Sequence, residues 1–383
     1  MIRYLCPDAV LLEGRLQAGH AVALTGAIIE SVLPLEAVPA EAEREVLSGL
    51  LAPGFIDLQV NGGGDLLFND QPDLDGLRRI AAAHAALGTT GFLPTVITDS
   101  PAVLESALNA VEAAAAQRMP GVLGLHVEGP FIEPARAGIH ATGHIRALDD
   151  SMLERLLAFR GGGLLVTLAP ECVPPGVIRR LVDAGVVVAA GHTNASYEQI
   201  RSAMDEGLSG FTHLFNAMAQ LTARQPGVVG AALDASDCWA SVIVDGHHVH
   251  PAALRIALTC LGDGRMVLVS DAMPPVGGRN SRFRLQGREI TVEDGRCVSA
   301  EGTLAGAAIA LADAVRRARD EMRVPLEAAI SMATRAPARA LGVERGEIEA
   351  GQPADLVLLD ETGAVQGTWV GGQVVEPPTW STT

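Results

Sequence analysis

Eight short apolar runs punctuate the middle of the chain. They are LAPGFIDLQ (51–59), TTGFLPT (89–95), VLGLHVEG (122–129), LLVTLAP (164–170), VVVAAGH (186–192), GFTHLF (210–215), WASVIVDG (239–246) and MVLVSDA (266–272). Parallel strands covered on both faces read as continuous apolar runs of this kind. Between most of them, apolar positions recur at three and four with a glycine near the end, which predicts helices over 74–88, 102–118, 175–185 and 196–207. Strand, helix, strand at this rhythm predicts a parallel sheet, and eight repeats predict its closure. An open doubly wound sheet gives no reason for eight units, and no GxGxxG opens a helix after the first run.

The flanks alternate instead. Residues 1–50 (AVALTGAIIESVL, then REVLSGLL) and 345–383 (GEIEAGQPADLVLLD, then AVQGTWVGGQVVEPP) read as antiparallel strands with glycine turns. The expected fold is therefore α/β: a (β/α)8 TIM barrel over 52–344, with a small β-sandwich domain formed by both chain termini, 1–51 plus 345–383. Residues 282–298 read as hairpin strands inserted after the eighth run, 304–341 as the last barrel helices, and NGGG at 61–64 as a flexible loop.

Four of the runs end on, or just before, a residue of catalytic type: Glu128 after VLGLHV, His192 after VVVAAG, His213 after GFT and Asp271 after MVLVS. In a barrel these ends converge on one mouth. A buried carboxylate is costly unless it is paired or binds a cation, so an ion pair with arginine is the plain reading of Glu128 and Asp271. A lone histidine in such a place is more often a hydrogen-bonded rim residue than a ligand. Two histidines with Glu128, however, make the N,N,O set of a catalytic metal site that keeps one position open. Asp271 would then accept a proton from the attacking water. His140, in a Gly-rich loop, is a weak candidate alone. Arg224 and the His247–His248 pair, after the sixth and seventh runs, are local cations suited to a phosphate.

Composition sharpens this picture. The 383 residues are 48% hydrophobic with a net charge of −17, which argues against nucleic acid and anionic membranes as partners. No apolar run approaches the roughly 18–20 residues of a membrane span. MIRYLCPDAV reads as no secretory signal. Five scattered cysteines without a CxxC read as reduced thiols of a cytoplasmic protein. All 28 basic residues are arginine, so a Schiff-base lysine and a carbamylated lysine bridging two metals are both excluded. No GxSxG elbow is present.

PGFIDLQVNGGG, LHVEGPF with GIH twelve residues after its Glu, GHTNASY, THLFNAM with RQPG, VDGHHVH, VSDAM and GTLAG occur in this order over essentially the whole chain. In these motifs the chain resembles the N-acetylglucosamine-6-phosphate deacetylases of the amidohydrolase superfamily. The resemblance implies Glu128, His192 and His213 as metal ligands and Asp271 as catalytic base and acid. It implies His140 at the acetamido carbonyl, with Ile139 beside it. Asn216, Ala217, Arg224 and His248 would lie at the phosphate, and Leu304, Ala305 and Gly306 along the sugar pocket. It further implies a small phosphorylated amino sugar as substrate and a homodimer. Gln59 and Asn61 stand where many superfamily members carry His-x-His for a second metal. One divalent ion per chain is therefore expected: zinc foremost, with Fe2+ or another first-row ion as alternatives.

The leading expectation is hydrolysis of the acetamide of N-acetylglucosamine 6-phosphate, with gluco against galacto stereochemistry left open. A cyclic amidase or base deaminase of the same superfamily is the alternative, disfavoured by the missing lysine and by the phosphate-type cations. A metal-free binding protein is a third reading, and the intact set of Glu128, His192, His213 and Asp271 argues against it.

Overall fold

In the computed structural model, which describes residues 2–380, the eight apolar runs form eight parallel strands. These are Phe55–Val60, Thr89–Ile97, Gly124–Glu128, Gly163–Leu168, Val187–Ala190, Gly210–Phe211, Trp239–Ile243 and Met266–Val269, each paired to the next in chain order. The barrel nearly closes. At the seam between the last and first strands, Asn61 N and Gly62 N donate to Ala272 O at 2.9 and 3.0 Å. Ser270 N donates to the buried Asp57 carboxylate at 3.3 Å. Burial pushes the Asp57 carboxyl up to about 7, against the hydrogen bonds from Ser270 and Gln59.

The four helices expected from periodicity lie at Leu74–Ala85, Pro101–Ala116, Val177–Asp183 and Tyr197–Asp205. Three of them start on a side-chain cap that satisfies an otherwise orphaned backbone donor: Asp73 on Gly76 N, Ser100 on Val103 N, and Ser196 in a reciprocal box with Gln199. Their apolar faces join the strands in one continuous core containing Phe55, Ile80, Phe92, Leu108, Val166, Ile200 and Phe211. Each large side chain so buried contributes about 1.5–3 kcal/mol.

Both termini build a single eight-stranded sheet in which Arg44–Pro53 pairs with Ile2–Leu12 on one side and with Leu356–Leu359 on the other. Arg44–Pro53 runs through the expected boundary at residue 51. The outer strand Ile28–Pro34 is tied back to the segment just before Leu356, with Ile29 N on Gln352 O at 2.9 Å and Ala354 N on Ala27 O at 2.8 Å. Alternation on the first strand puts Leu5 in one cluster with Leu24, Ile29 and Trp369, and Tyr4 and Cys6 in another with Ala21 and Ala23.

After the eighth barrel strand comes a four-stranded antiparallel sheet: Arg282–Leu285, Arg288–Glu293, Arg296–Ser299 and Leu304–Ala307. Two readings of the sequence are corrected here. Residues 304–307 are a strand, and helix begins only at Leu311–Met322, followed by Leu326–Met332 and Arg335–Leu341. The small apolar run LAGAAIALA suits either state, and tertiary pairing decides it: Ala307 N donates to Asp271 O at 2.9 Å, and Met273 N donates back to Ala307 O at 3.0 Å. NGGG is buried structure rather than a flexible loop, since Gly62–Gly63 pairs with Leu66–Leu67. A Cβ on Gly63 would meet His84 Nε2 at 2.7 Å. Among the described residues, no helix is long and apolar enough to cross a membrane.

Candidate active site

Glu128 is the last residue of the third barrel strand, while His192, His213 and Asp271 each stand two residues beyond the fifth, sixth and eighth. Those three share one backbone device. Their φ values are +49°, +36° and +50°, in the left-handed region that non-glycine residues rarely occupy. Such strain persists where surrounding structure enforces it, and it clusters at active sites. At these positions it ends the strand and leaves the side chain in the wall of a cavity of about 400 Å3.

The three expected ligands converge tightly. Glu128 Oε1 lies 3.0 Å from His213 Nε2 and 3.2 Å from His192 Nε2, and the two nitrogens are 3.1 Å apart. Hydrogen bonds alone do not satisfy this triangle. His192 Nδ1 donates to Arg136 O, which can only accept, at 2.8 Å. In the neutral ring Nε2 then presents a lone pair to a carboxylate oxygen. A cation facing all three atoms removes the conflict, and edges near 3 Å suit bonds of roughly 2.0–2.2 Å to such an ion. Burial alone would raise the Glu128 carboxyl, but the imidazoles of His192 and His213 hold it well below its ordinary value. Glu128, His192 and His140 also offer donor atoms within 4.8 Å of one another. The tighter set is nevertheless the one with His213, whose three atoms lie 3.0–3.2 Å apart.

Asp271, 8% exposed, borders the same cavity. Gln59 Nε2 and Asn61 Nδ2 both donate to its Oδ1, at 3.2 and 2.6 Å. Gln59 Nε2 also reaches both oxygens of Glu128, at 3.1 and 3.2 Å. One amide group thus bridges two carboxylates that would otherwise repel each other. Burial, reinforced by the Glu128 charge, pushes the Asp271 carboxyl up to about 7. His140 is driven down to about 3, by burial first and then by the neighbouring His192. It is neutral at ordinary pH, its ring 4.4 Å from that of His192.

His140, Ile139, Asn216, Ala217, His248, Leu304, Ala305 and Gly306 all line the cavity. The last three come from the edge strand of the inserted sheet. Arg224 does not line it; it is exposed on the loop after the sixth strand. Sequence reasoning passed over three contributors. Gln59 and Asn61 were read only as missing ligands, yet they hold the two carboxylates. Asp245, two residues past the seventh strand, is buried against His248 at 2.6 Å. The criterion that singled out Asp271, an acid closing an apolar run, applies equally to VIVDG.

The amidohydrolase family model matches residues 50–375. An N-acetylgalactosamine-6-phosphate deacetylase of Shewanella sp. (strain ANA-3) is 40% identical over 372 residues, covering 96% of this chain and 94% of that protein. The solved structure of N-acetylglucosamine-6-phosphate deacetylase from Pasteurella multocida superposes with a TM-score of 0.94 at 34% identity, over 98% of this chain and 99% of that one. A mutant of the Mycobacterium smegmatis enzyme, solved in complex with N-acetyl-D-glucosamine-6-phosphate, gives a TM-score of 0.89 at 34% identity, over 98% and 99%. The chain therefore belongs to the amidohydrolase family, and its relatives within that family are deacetylases of N-acetylhexosamine 6-phosphates.

Proposed function

We propose that the protein hydrolyses the acetamide of N-acetylglucosamine 6-phosphate, releasing acetate and glucosamine 6-phosphate. The observation that carries this reading is one cavity bordered by a cation-seeking N,N,O triangle, a carboxyl displaced to about 7 and an imidazole paired to a buried carboxylate. Glu128, His192 and His213 would hold a single divalent ion, zinc foremost, with Fe2+ or another first-row ion as alternatives. Such an ion, when bound, supplies Lewis-acid polarisation of the carbonyl and the water.

The chain's own residues do the rest. Asp271 takes the proton of the attacking water on Oδ2, which carries no hydrogen bond among the described residues, while Asn61 and Gln59 fix Oδ1. A base whose affinity for protons lies near neutrality is suited both to accept that proton and to return it to the departing amine. His140 Nδ1 pairs with Thr98 Oγ1 at 2.8 Å, and the tautomer that carries the ring proton on Nε2 would let neutral His140 hydrogen-bond the developing oxyanion. Among the residues lining the cavity, His248, Asn216 and Ala217 would face the phosphate, and Ile139 and Leu304–Gly306 would enclose the sugar.

Arg224 lies outside the cavity of its own chain. Its part in phosphate binding requires its loop to move or a second protomer to be present, and a homodimer is the assembly we propose. The free cysteines support a cytoplasmic setting.

Acetate release from N-acetylglucosamine 6-phosphate, set against its unphosphorylated form, tests the reading. Equal kcat/KM on the two would overturn it. The 40% identical Shewanella relative favours a second reading, the galacto epimer. A higher kcat/KM on N-acetylgalactosamine 6-phosphate in the same assay would establish it.

A further inference from the structure

The turn after the seventh barrel strand is organised by one buried carboxylate. Asp245 is 1% exposed. Its Oδ1 accepts from His247 N and His248 N, each at 2.8 Å, and its Oδ2 accepts from His248 Nδ1 at 2.6 Å. The other side of the turn is clipped to the inserted sheet, where His247 Nε2 meets Asp294 O at 3.0 Å. His248, its side chain 8% exposed, lines the cavity between these supports.

A buried carboxylate remains ionised when a cation pairs with it. Although burial works against both charges, the hydrogen bond between them prevails: Asp245 falls to about 2, and His248 rises above its ordinary value. The surrounding charges agree. Asp271 also favours a protonated His248. The Arg317 guanidinium beside Gly246 is occupied by Glu321 at 2.9 Å. The Cys297 thiol, pushed up to about 12 by burial and then by Asp271 and Asp245, is uncharged.

We propose that Asp245 is a positioning residue for substrate selection. It holds His248 doubly protonated and fixed in rotation, so that Nε2–H is presented as a permanent cation to the phosphomonoester of the sugar. This rests on the phosphorylated-substrate reading given under the proposed function. Its physical basis is that an imidazole of ordinary pKa is mostly neutral above pH 7 and would rotate freely in an open turn. The pair preserves a local positive site in a protein of net charge −17.

Asp245→Asn is the test. The asparagine Oδ1 still accepts from both backbone N–H groups, while Nδ2 now donates to His248 Nδ1 and leaves the ring neutral. At pH 7.5, KM for N-acetylglucosamine 6-phosphate is expected to rise roughly tenfold to hundredfold, the scale of one charge-assisted contact. The change should fall on KM rather than kcat, and should be absent with unphosphorylated N-acetylglucosamine. In a His248→Asn background, Asp245→Asn should add less than about twofold, because the two residues act as one unit. Nitrogen-15 NMR of the histidines in the intact protein should show His248 titrating at lower pH in Asp245→Asn.

Equal KM increases on both sugars, or a fall confined to kcat, would mark Asp245 as a turn residue and overturn the proposal. An unchanged His248 titration would do the same. Absence of any acetate release by wild type would instead defeat the functional reading. The His248 titration with inorganic phosphate as probe would then still decide the role of Asp245.

Discussion

Replacing Asp271 with asparagine is expected to move activity and stability in opposite directions. The substitution preserves shape: an asparagine carbonyl can take over the hydrogen bonds from Asn61 Nδ2 and Gln59 Nε2 that now fall on Oδ1. What disappears is the proton acceptor. General-base catalysis is worth about 10²–10⁴-fold, so kcat in the metal-replete enzyme should fall by that factor, or about 2.7–5.5 kcal/mol of barrier. Stability responds to the carboxyl's displacement from 3.8 to about 7, caused first by burial and then by Glu128. At about 1.4 kcal/mol per tenfold, holding that charge costs the metal-free wild type at most about 4 kcal/mol. The native state binds the proton more tightly than the unfolded chain, so wild-type stability declines as pH rises from about 4 to 7 and levels off above. Asparagine lacks this term. Its advantage should grow over that window. Acetate release with added metal and thermal melts in chelator from pH 4 to 8 measure the two effects. A kcat within tenfold of wild type, or a melting advantage that shrinks with rising pH, would refute the reasoning.

Three further expectations follow from the geometry. Gly306→Ala should destabilise the protein by about 1–3 kcal/mol, because the residue has φ +65° and a Cβ would lie 2.6 Å from Met273 Cγ and 2.8 Å from Asp271 O. Turnover should drop with it, and a urea midpoint and kcat equal to wild type would show the contact to be slack. His140→Gln should lower kcat about 10²–10³-fold, the scale of one oxyanion donor; a change confined to KM would assign His140 to ground-state binding. Elemental analysis of active protein should find one divalent ion per chain, since Gln59 and Asn61 act as donors to carboxylates rather than as ligands. Two equivalents, both required for turnover, would overturn the single-ion site.

The sequence by itself determined the barrel and the chemistry at its mouth. Strands covered on both faces must be apolar throughout, so eight such runs are legible in the chain, and polar residues at their ends stand out against them. Glu128, His192, His213 and Asp271 were all legible in this way, because a charge beside a buried strand has few physical explanations. Asp245, at the end of VIVDG, carries the same signal.

The tertiary structure decided what local pattern cannot encode. The left-handed backbone at His192, His213 and Asp271 is held by the packed barrel and has no glycine to announce it. Gln59 and Asn61 became carboxylate donors only when the first, third and eighth strands met at the mouth. Residues 304–307 became a strand because Asp271 and Met273 lay beside them, although their small apolar side chains suit a helix equally well. Periodicity reports which face of a segment is buried. Which distant segment buries it is set by chain closure, and at this mouth closure brought the base, its amide donors and the sugar-pocket strand into contact.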